Sequence, residues 1–492
     1  MEQIPTFFSE KKDIFTYDYN KVNQLVDSDI NHYEFIDNLS VPDPDKTLCR
    51  DYFQSIMFGK NHIFIDKVLS QLNSSSNNIC LPLLHQWLST SDTKNPRIDN
   101  LVIINDKDDS ERICQNHVKK APIFKSFLYD SIISTTDNID WKEQRGKMNM
   151  AFIPSLSLKK VFPISQQRAK YCSQLLKQNS DNCKQPVNMS EFFLNETQAQ
   201  LQLGMFGFSD EFEQKTNKKI RDAFAGIDTG YTDQFSYEAI QETQTSKGPL
   251  SKLFNINENE YKNKGNLIIF AFAGHDTTGH TLTWLLYELC KNVKYKQELI
   301  KEIDSYWLKY SEPTYDTLNE LPFMTKCITE TLRMWPALAN GTYRELEYDE
   351  TIKGIDGNPV SVKKGTYVQV LNWVRHRNKD LWGADANIFN PYRQFKDSEI
   401  WSYKGFGTTN VSSDRFSPFT YGPRNCIGKN FSHMEMRLIL LYLFKDYDFQ
   451  LTQEQLNHNI SGVNLFTMGP GSYKKDELLG LYVDVVPRKS KL

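Results

Sequence analysis

At 492 residues, with 39% hydrophobic and 24% charged residues, the chain has the composition of a soluble globular protein large enough to bury an extensive core. A formal net charge of −3 gives no reason to expect nucleic acid, and 19 prolines and 23 glycines are too few for a disordered chain. The eight cysteines are scattered, with no C-x-x-C and no zinc-like spacing, which is the usage of free thiols in a reducing, cytoplasmic compartment.

The N-terminus, Met1 to Lys12, has neither the apolar core of a signal peptide nor the length of a membrane span. No leader or anchor is expected, and residues 1 to about 40 read as an irregular arm of one domain spanning 1–492. The Asn/Ser run from Asn73 to Asn78 is a surface loop. Trp141 and Arg145 stand four apart on one helical face, an indole N–H and a guanidinium suited to a carboxylate, although such a pair is also common as plain surface packing. From about 160 to 262 the sequence is polar and carries no motif.

Between Gly265 and Tyr287 the only formal charge is Asp276. The centre, Gly274-His275-Asp276-Thr277-Thr278-Gly279-His280, would be costly in hydrocarbon, so a helix buried through a soluble core is expected rather than a membrane span. Gly274 and Thr277 invite loosening of the backbone ladder, and a hydroxyl and a carboxylate beside a widened turn could seat a diatomic ligand and relay protons. A second helix should start at Pro322 and end before Pro336, with Glu330 and Arg333 paired on one face. Residues 351–371 read as strands around the turn Asp356-Gly357-Asn358.

The most informative stretch runs from Phe419 to Gly428, a Cys in a Gly- and Pro-punctuated turn leading into an apolar helical pattern. Cys426 should therefore sit beside a helix N-terminus, where the dipole and unpaired N–H groups favour a thiolate. Gly422 and Gly428 would let a flat ligand approach, and Arg424 could reach an acidic edge of it, which together are the needs of an axial haem sulfur. The alternative is a buried structural cysteine.

Phe419, Gly422, Arg424, Cys426 and Gly428 fill every fixed position of F-x-x-G-x-R-x-C-x-G, and the stretch resembles the cysteine-ligand loop of the cytochromes P450. Three further stretches resemble that family in order: Trp141/Arg145 its W-x-x-x-R, Ala273 to Thr278 its [AG]-G-x-[DE]-T-[TS], and Glu330/Arg333 its E-x-x-R, with Arg393 near its P-x-R-F despite an extra Gln394. The resemblance implies a mainly α P450 fold with small β-sheets and a non-covalent haem b whose iron Cys426 ligates. It also implies Trp141, Arg145, Arg344 and Arg424 on the propionates, Ala273, Gly274 and Phe419 completing the cofactor site, and Thr277 with Asp276 activating oxygen. The implied activity is insertion of one atom of O₂ into a small lipophilic substrate. Leu492 follows Cys426 too soon for a flavin module. Electrons from NAD(P)H would then come through NADPH–cytochrome P450 reductase or a ferredoxin-type donor. A P450-fold isomerase or dehydratase acting on a peroxide, and a haem-thiolate sensor, stay open as alternatives, as does peripheral contact with a membrane.

Overall fold

The computed structural model describes residues 51–488 apart from 53–54, 57–58, 73–75, 85–97, 227–229, 255–258, 405–406, 409–410, 458–459, 465–466 and 472–479. The expectation for the N-terminal arm, and that for residues 73–75 of the Asn/Ser run, lie outside the described residues, whereas Ser76 and Asn78 are buried rather than on a surface loop, because Asn78 Oδ1 accepts the N–H groups of Asn105 and Asp106. Helices dominate: α1 (Asn61–Leu72), α2 (Lys107–Asn116), α3 (Asn138–Asn149), α4 (Lys159–Asn179), α5 (Met189–Ala199), α6 (Asp210–Phe224), α7 (Tyr231–Thr243), α8 (Glu260–Lys291), α9 (Val293–Lys309), α10 (Pro322–Met334) and α11 (Lys429–Asp446). The motif-free stretch from about 160 to 262 thus folds as four helices, α4 to α7. Their apolar faces, rather than any motif, hold them; Phe235 and Ala239 of α7 and Phe224 of α6 belong to the same apolar core as α8. Among the described residues no helix is long and apolar enough to cross a membrane.

The strands form small sheets, as expected. β1 (Ile79–Leu84) and β2 (Ile98–Ile104) join β3 (Thr342–Glu345) and β6 (Tyr367–Val370) in the order β1-β2-β6-β3. Only the β2/β6 pair is parallel, with Leu101 opposite Tyr367 and Ile104 opposite Val370. β4 (Glu350–Lys353) and β5 (Pro359–Val362) form the expected hairpin. In its turn Asn358 N–H donates to Asp356 Oδ1 at 3.0 Å, and Gly357 takes φ +84°. β7 (Tyr447–Leu451) pairs with β10 (Tyr482–Pro487), and β8 (Ser461–Asn464) pairs with β9 (Met468–Gly471).

α8, 32 residues and so about 48 Å long, threads this assembly. Asn259 caps its start by accepting the Lys262 N–H. Its far half is pinned by indoles: Trp284 stacks on Trp335 at 3.8 Å and donates Nε1–H to Met468 O at 2.7 Å, which docks β9 against the helix.

α10 begins and ends at the expected residues. Glu330 and Arg333 are both fully buried and paired through two bonds of 2.8 Å. The extra Gln394 does not displace Arg393, whose Nε donates to both Glu330 oxygens at 3.1 and 3.3 Å. Glu330 therefore compensates two guanidiniums, while Arg393 has a second acid in Asp385 at 3.0 Å. Removing one partner of a buried ion pair costs roughly 3–5 kcal/mol. Glu330→Ala should yield little soluble protein and Arg393→Ala noticeably more, measured as soluble yield and urea midpoint; equal yields would place the network's weight elsewhere.

Candidate active site

Cys426 lies in the turn between Phe419 and α11, its N–H donating to Phe419 O at 2.9 Å. Gly422 takes φ +61°, and a Cβ there would stand 2.9 Å from the Cys114 carbonyl, so the turn requires glycine. A Cβ on Gly428 would meet only the Phe152 ring at 3.8 Å and Cys426 Sγ at 3.9 Å, so that glycine keeps space open beside the sulfur. The Gly428 and Lys429 N–H groups reach the sulfur as a helix N-terminus should. Burial nevertheless pushes the thiol up, against the pull of the Gly428 N–H, Arg145 and Lys429. This corrects the expectation that the helix end by itself favours a thiolate; ionisation here needs a bound cation, which deprotonates a coordinating thiol outright. Cys426 is at once surrounded by protein and exposed. The sulfur faces open space within the fold, as the mid-helix face of α8 does.

Between Gly265 and Leu286, α8 is buried except at Phe272, Ala273, Gly274, Asp276, Thr277 and His280. Ala273, Asp276, Thr277 and His280 share one helical face, which therefore borders open space in mid-helix. The expected loosening of the ladder does not occur, for α8 is continuous. Instead hydroxyls share its carbonyls: Thr277 Oγ1 donates to Ala273 O and Thr197 Oγ1 of α5 donates to His275 O, both at 2.9 Å. The glycines serve packing. A Cβ on Gly274 would lie 2.8 Å from the Leu201 methyls, and one on Gly279 would lie 2.9 Å from Leu194, so both admit the α5 side at close range. Thr278 Oγ1 donates to Ser432 Oγ at 3.1 Å, tying this turn of α8 to the helix that follows Cys426.

Trp141 and Arg145 do share a face of α3, and both reach the Cys loop. Arg145 donates to Asn425 O at 2.6 Å and to Asn425 Oδ1 at 2.7 Å. The Arg424 guanidinium lies 4.3 Å over the Trp141 ring and donates to the carbonyls of Val118, Ile132 and Thr135 at 3.1–3.2 Å. Arg344, fully buried on β3, donates Nη1–H to Thr342 Oγ1 and to Tyr343 O, while its Nε and Nη2 have no partner. Phe419, half-buried, packs 5.4 Å from the His433 ring. Sequence reasoning missed Lys120, buried with its Nζ 2.7 Å from Thr342 Oγ1; it follows no motif, and only the fold brings it to Arg344. Arg375, also buried with Nε and Nη1 unpartnered, was missed for the same reason. Among the described residues no carboxylate pairs with Lys120, Arg344 or Arg424. Burial and the neighbouring Arg344 and Arg145 pull Arg424 down to about 9, and burial with Arg344 and Arg424 pulls Lys120 well below the usual lysine range. A surface groove of about 1240 Å³ along α4 and α6 is lined by none of these residues.

Residues 241–475 match the family model for cytochrome P450. Putative cytochrome P450 CYP13A5 of Caenorhabditis elegans is 32% identical over 208 residues, 42% of this chain and 37% of that protein. Cytochrome P450 3A12 of Canis lupus familiaris is 33% identical over 199 residues, 40% and 36%. Cytochrome P450 3A1 of Rattus norvegicus is 26% identical over 372 residues, 65% and 70%. The chain belongs to the cytochrome P450 family. It spans about a third of the length of the first curated relatives it matches. The crystal structure of the cytochrome P450 CYP102L1 superposes with a TM-score of 0.63 at 17% identity, over 79% of this chain and 89% of that one, which gives the fold.

Membership implies a haem, and the residues of this P450 fit one. The unpartnered Arg344 donors, and cations that no carboxylate pairs although Glu347 acts on Arg344 and Arg424 from a distance, call for an anionic occupant with carboxylates, and the sulfur beside Gly428 calls for a cation. An iron porphyrin brings both. Without it the buried cations cost stability. Arg344→Met should therefore stabilise the haem-free chain while speeding haem loss, read as opposite shifts in urea midpoint and in haem transfer to an acceptor protein. Shifts of the same sign would mean that the fold itself satisfies Arg344.

Proposed function

We propose that this P450 is a haem-thiolate monooxygenase, a single domain that inserts one atom of O₂ into a lipophilic organic substrate. Its electrons come from NAD(P)H through a separate reductase or ferredoxin-type donor, and it works in a reducing compartment. The observation that carries the reading is an open Cys426 sulfur, backed by two backbone N–H groups, beside buried cations that no carboxylate pairs. Haem, when bound, supplies the redox chemistry of oxygen activation.

The chain's own residues do the rest. Cys426 Sγ would hold the iron. Arg145, Arg344 and Arg424, with Lys120, would neutralise the propionates, and Trp141 would stand beside them as an uncharged N–H donor. Ala273, Gly274 and Phe419 form the walls. Thr277 has committed its hydroxyl proton to Ala273 O, which leaves its oxygen lone pairs free to accept a hydrogen bond on the cavity side. Asp276, one residue earlier on the same face, passes the proton. A peroxide isomerase, dehydratase or sensor needs no such relay, so the Asp276–Thr277 pair favours the monooxygenase.

Reduced protein under carbon monoxide should show the red-shifted Soret band of a thiolate-ligated haem, and Cys426→Ser should lose it. Retention of the band in that variant would refute the ligand assignment. Thr277→Val should keep consuming NADPH and O₂ but release a several-fold larger share as hydrogen peroxide instead of product. An unchanged ratio, with haem content intact, would remove Thr277 from the oxygen chemistry.

A further inference from the structure

We infer that His280 is the proton-entry residue of this site, feeding Asp276 through the hydroxyl of Thr467; the inference deepens the monooxygenase reading and rests on it. Three groups stand in line. Thr467 Oγ1 donates to Asp276 Oδ2 in a short hydrogen bond. His280 Nδ1 is 2.8 Å from the same Thr467 oxygen, and 3.8 Å from Asp276 Oδ1. His280 lies one helical turn beyond Asp276 on the accessible face of α8, whereas Thr467 comes from the segment leading into β9.

Valence fixes the direction of this line. A carboxylate only accepts, so Thr467 must give it the one hydroxyl hydrogen it has. Thr467 can then only accept from His280, so Nδ1 must carry the hydrogen and Nε2 of the neutral ring must be bare. That far edge has no hydrogen-bond partner among the described residues, and the His280 side chain is 15% exposed. The backbone at Gly469 lies along it, where a Cβ would stand 2.8 Å from Nε2. His275, the other imidazole near Asp276, is 4.0 Å away at Nε2 and binds Ala271 O through Nδ1 at 2.6 Å. Burial pulls it down to about 4, which keeps it neutral and outside the line.

The transfer balances one proton in against one out. Water protonates His280 at Nε2, the Nδ1 proton moves to Thr467 Oγ1, and the original hydroxyl proton moves to Asp276 Oδ2. His280 is left neutral with its hydrogen on Nε2. Once Asp276 has given up its proton, rotation of the hydroxyl and exchange of the ring with water restore the start.

The test has two arms. In ¹⁵N-labelled, haem-loaded, reduced protein under carbon monoxide, the ring spectrum of His280 should show the Nδ1–H tautomer, and Thr467→Val should convert it largely to Nε2–H. An Nε2–H tautomer in the unmodified protein would overturn the inference whether or not any substrate is turned over. In turnover, His280→Asn keeps a donor near the Nδ1 position but cannot pass a proton on. It should raise the peroxide share and the solvent isotope effect several-fold at unchanged KM, since general-acid help is typically worth about 10²–10⁴ in rate. Gly469→Ala, whose methyl would stand 2.8 Å from Nε2 and so push the ring away from Thr467, should move in the same direction, and Thr283→Val, whose hydroxyl only bonds Gly279 O within α8, should not. Full coupling in His280→Asn would reduce His280 to a positioning residue, and a change confined to KM would make it a substrate contact; either result sinks the relay. If the unmodified protein forms no product from any substrate, the monooxygenase reading falls and the tautomer alone decides whether the line exists.

Discussion

The chain between β6 and the cysteine turn is mostly irregular, and its carbonyls must find donors without a ladder to supply them. Arginine supplies them. From the buried Glu330, Arg333 reaches the carbonyls of His376 and Ala386, both at 2.7 Å, and Arg393 reaches those of Trp382, Asp385 and Ile388 at 2.8–3.0 Å. Arg415, paired with Glu399, adds the carbonyls of Leu381 and Gln394. His376 Nε2 then accepts the Ser417 N–H at 3.0 Å, two residues before Phe419. The position of the Cys loop thus depends on one carboxylate that holds two guanidiniums in place. Planar, forked donors suit this work because each can bond several carbonyls while remaining paired.

The pocket follows the opposite rule. Around Glu330 both Arg333 and Arg393 have an acid, whereas around Trp141 and Arg424 the cations have carbonyls, a ring face and one another, with Glu347 acting on Arg344 and Arg424 without pairing. Carbonyl dipoles solvate a guanidinium only in part, and burial with like-charged neighbours lowers the Arg424 pKa. A site arranged in this way is destabilising when empty and relieved by an anion, so binding energy and fold stability are coupled through the same side chains. The sulfur completes the demand from the other sign, since it sits among N–H donors in a place where burial still disfavours the thiolate.

On α8 the same economy of partners explains why the helix stays whole. Hydroxyls that could have broken the ladder share its carbonyls, and the glycines expected to loosen it instead let Leu194 and Leu201 press close. One face is left accessible, and its acid, its hydroxyl and its imidazole lie within a few turns of one another because 3.6-residue periodicity puts them there.

Much of this was legible in the sequence. The Cys loop, the Asp276–Thr277 notch, the bounds of α10 and the β4–β5 hairpin are local: each depends on residues near in the chain, on dihedral preferences and on helical or strand period. The partners of Arg344 were not legible, nor were the arrival of Lys120 beside it, the bracing of the Cys loop by Arg145 or the bond from Thr467 to Asp276. Those contacts join residues that lie between 191 and 280 positions apart where the last two are concerned. Motifs therefore determined which chemistry the chain can carry. Only the tertiary structure decided which charges go without a counter-ion, because burial and pairing are properties of the space between segments and leave no period in the sequence.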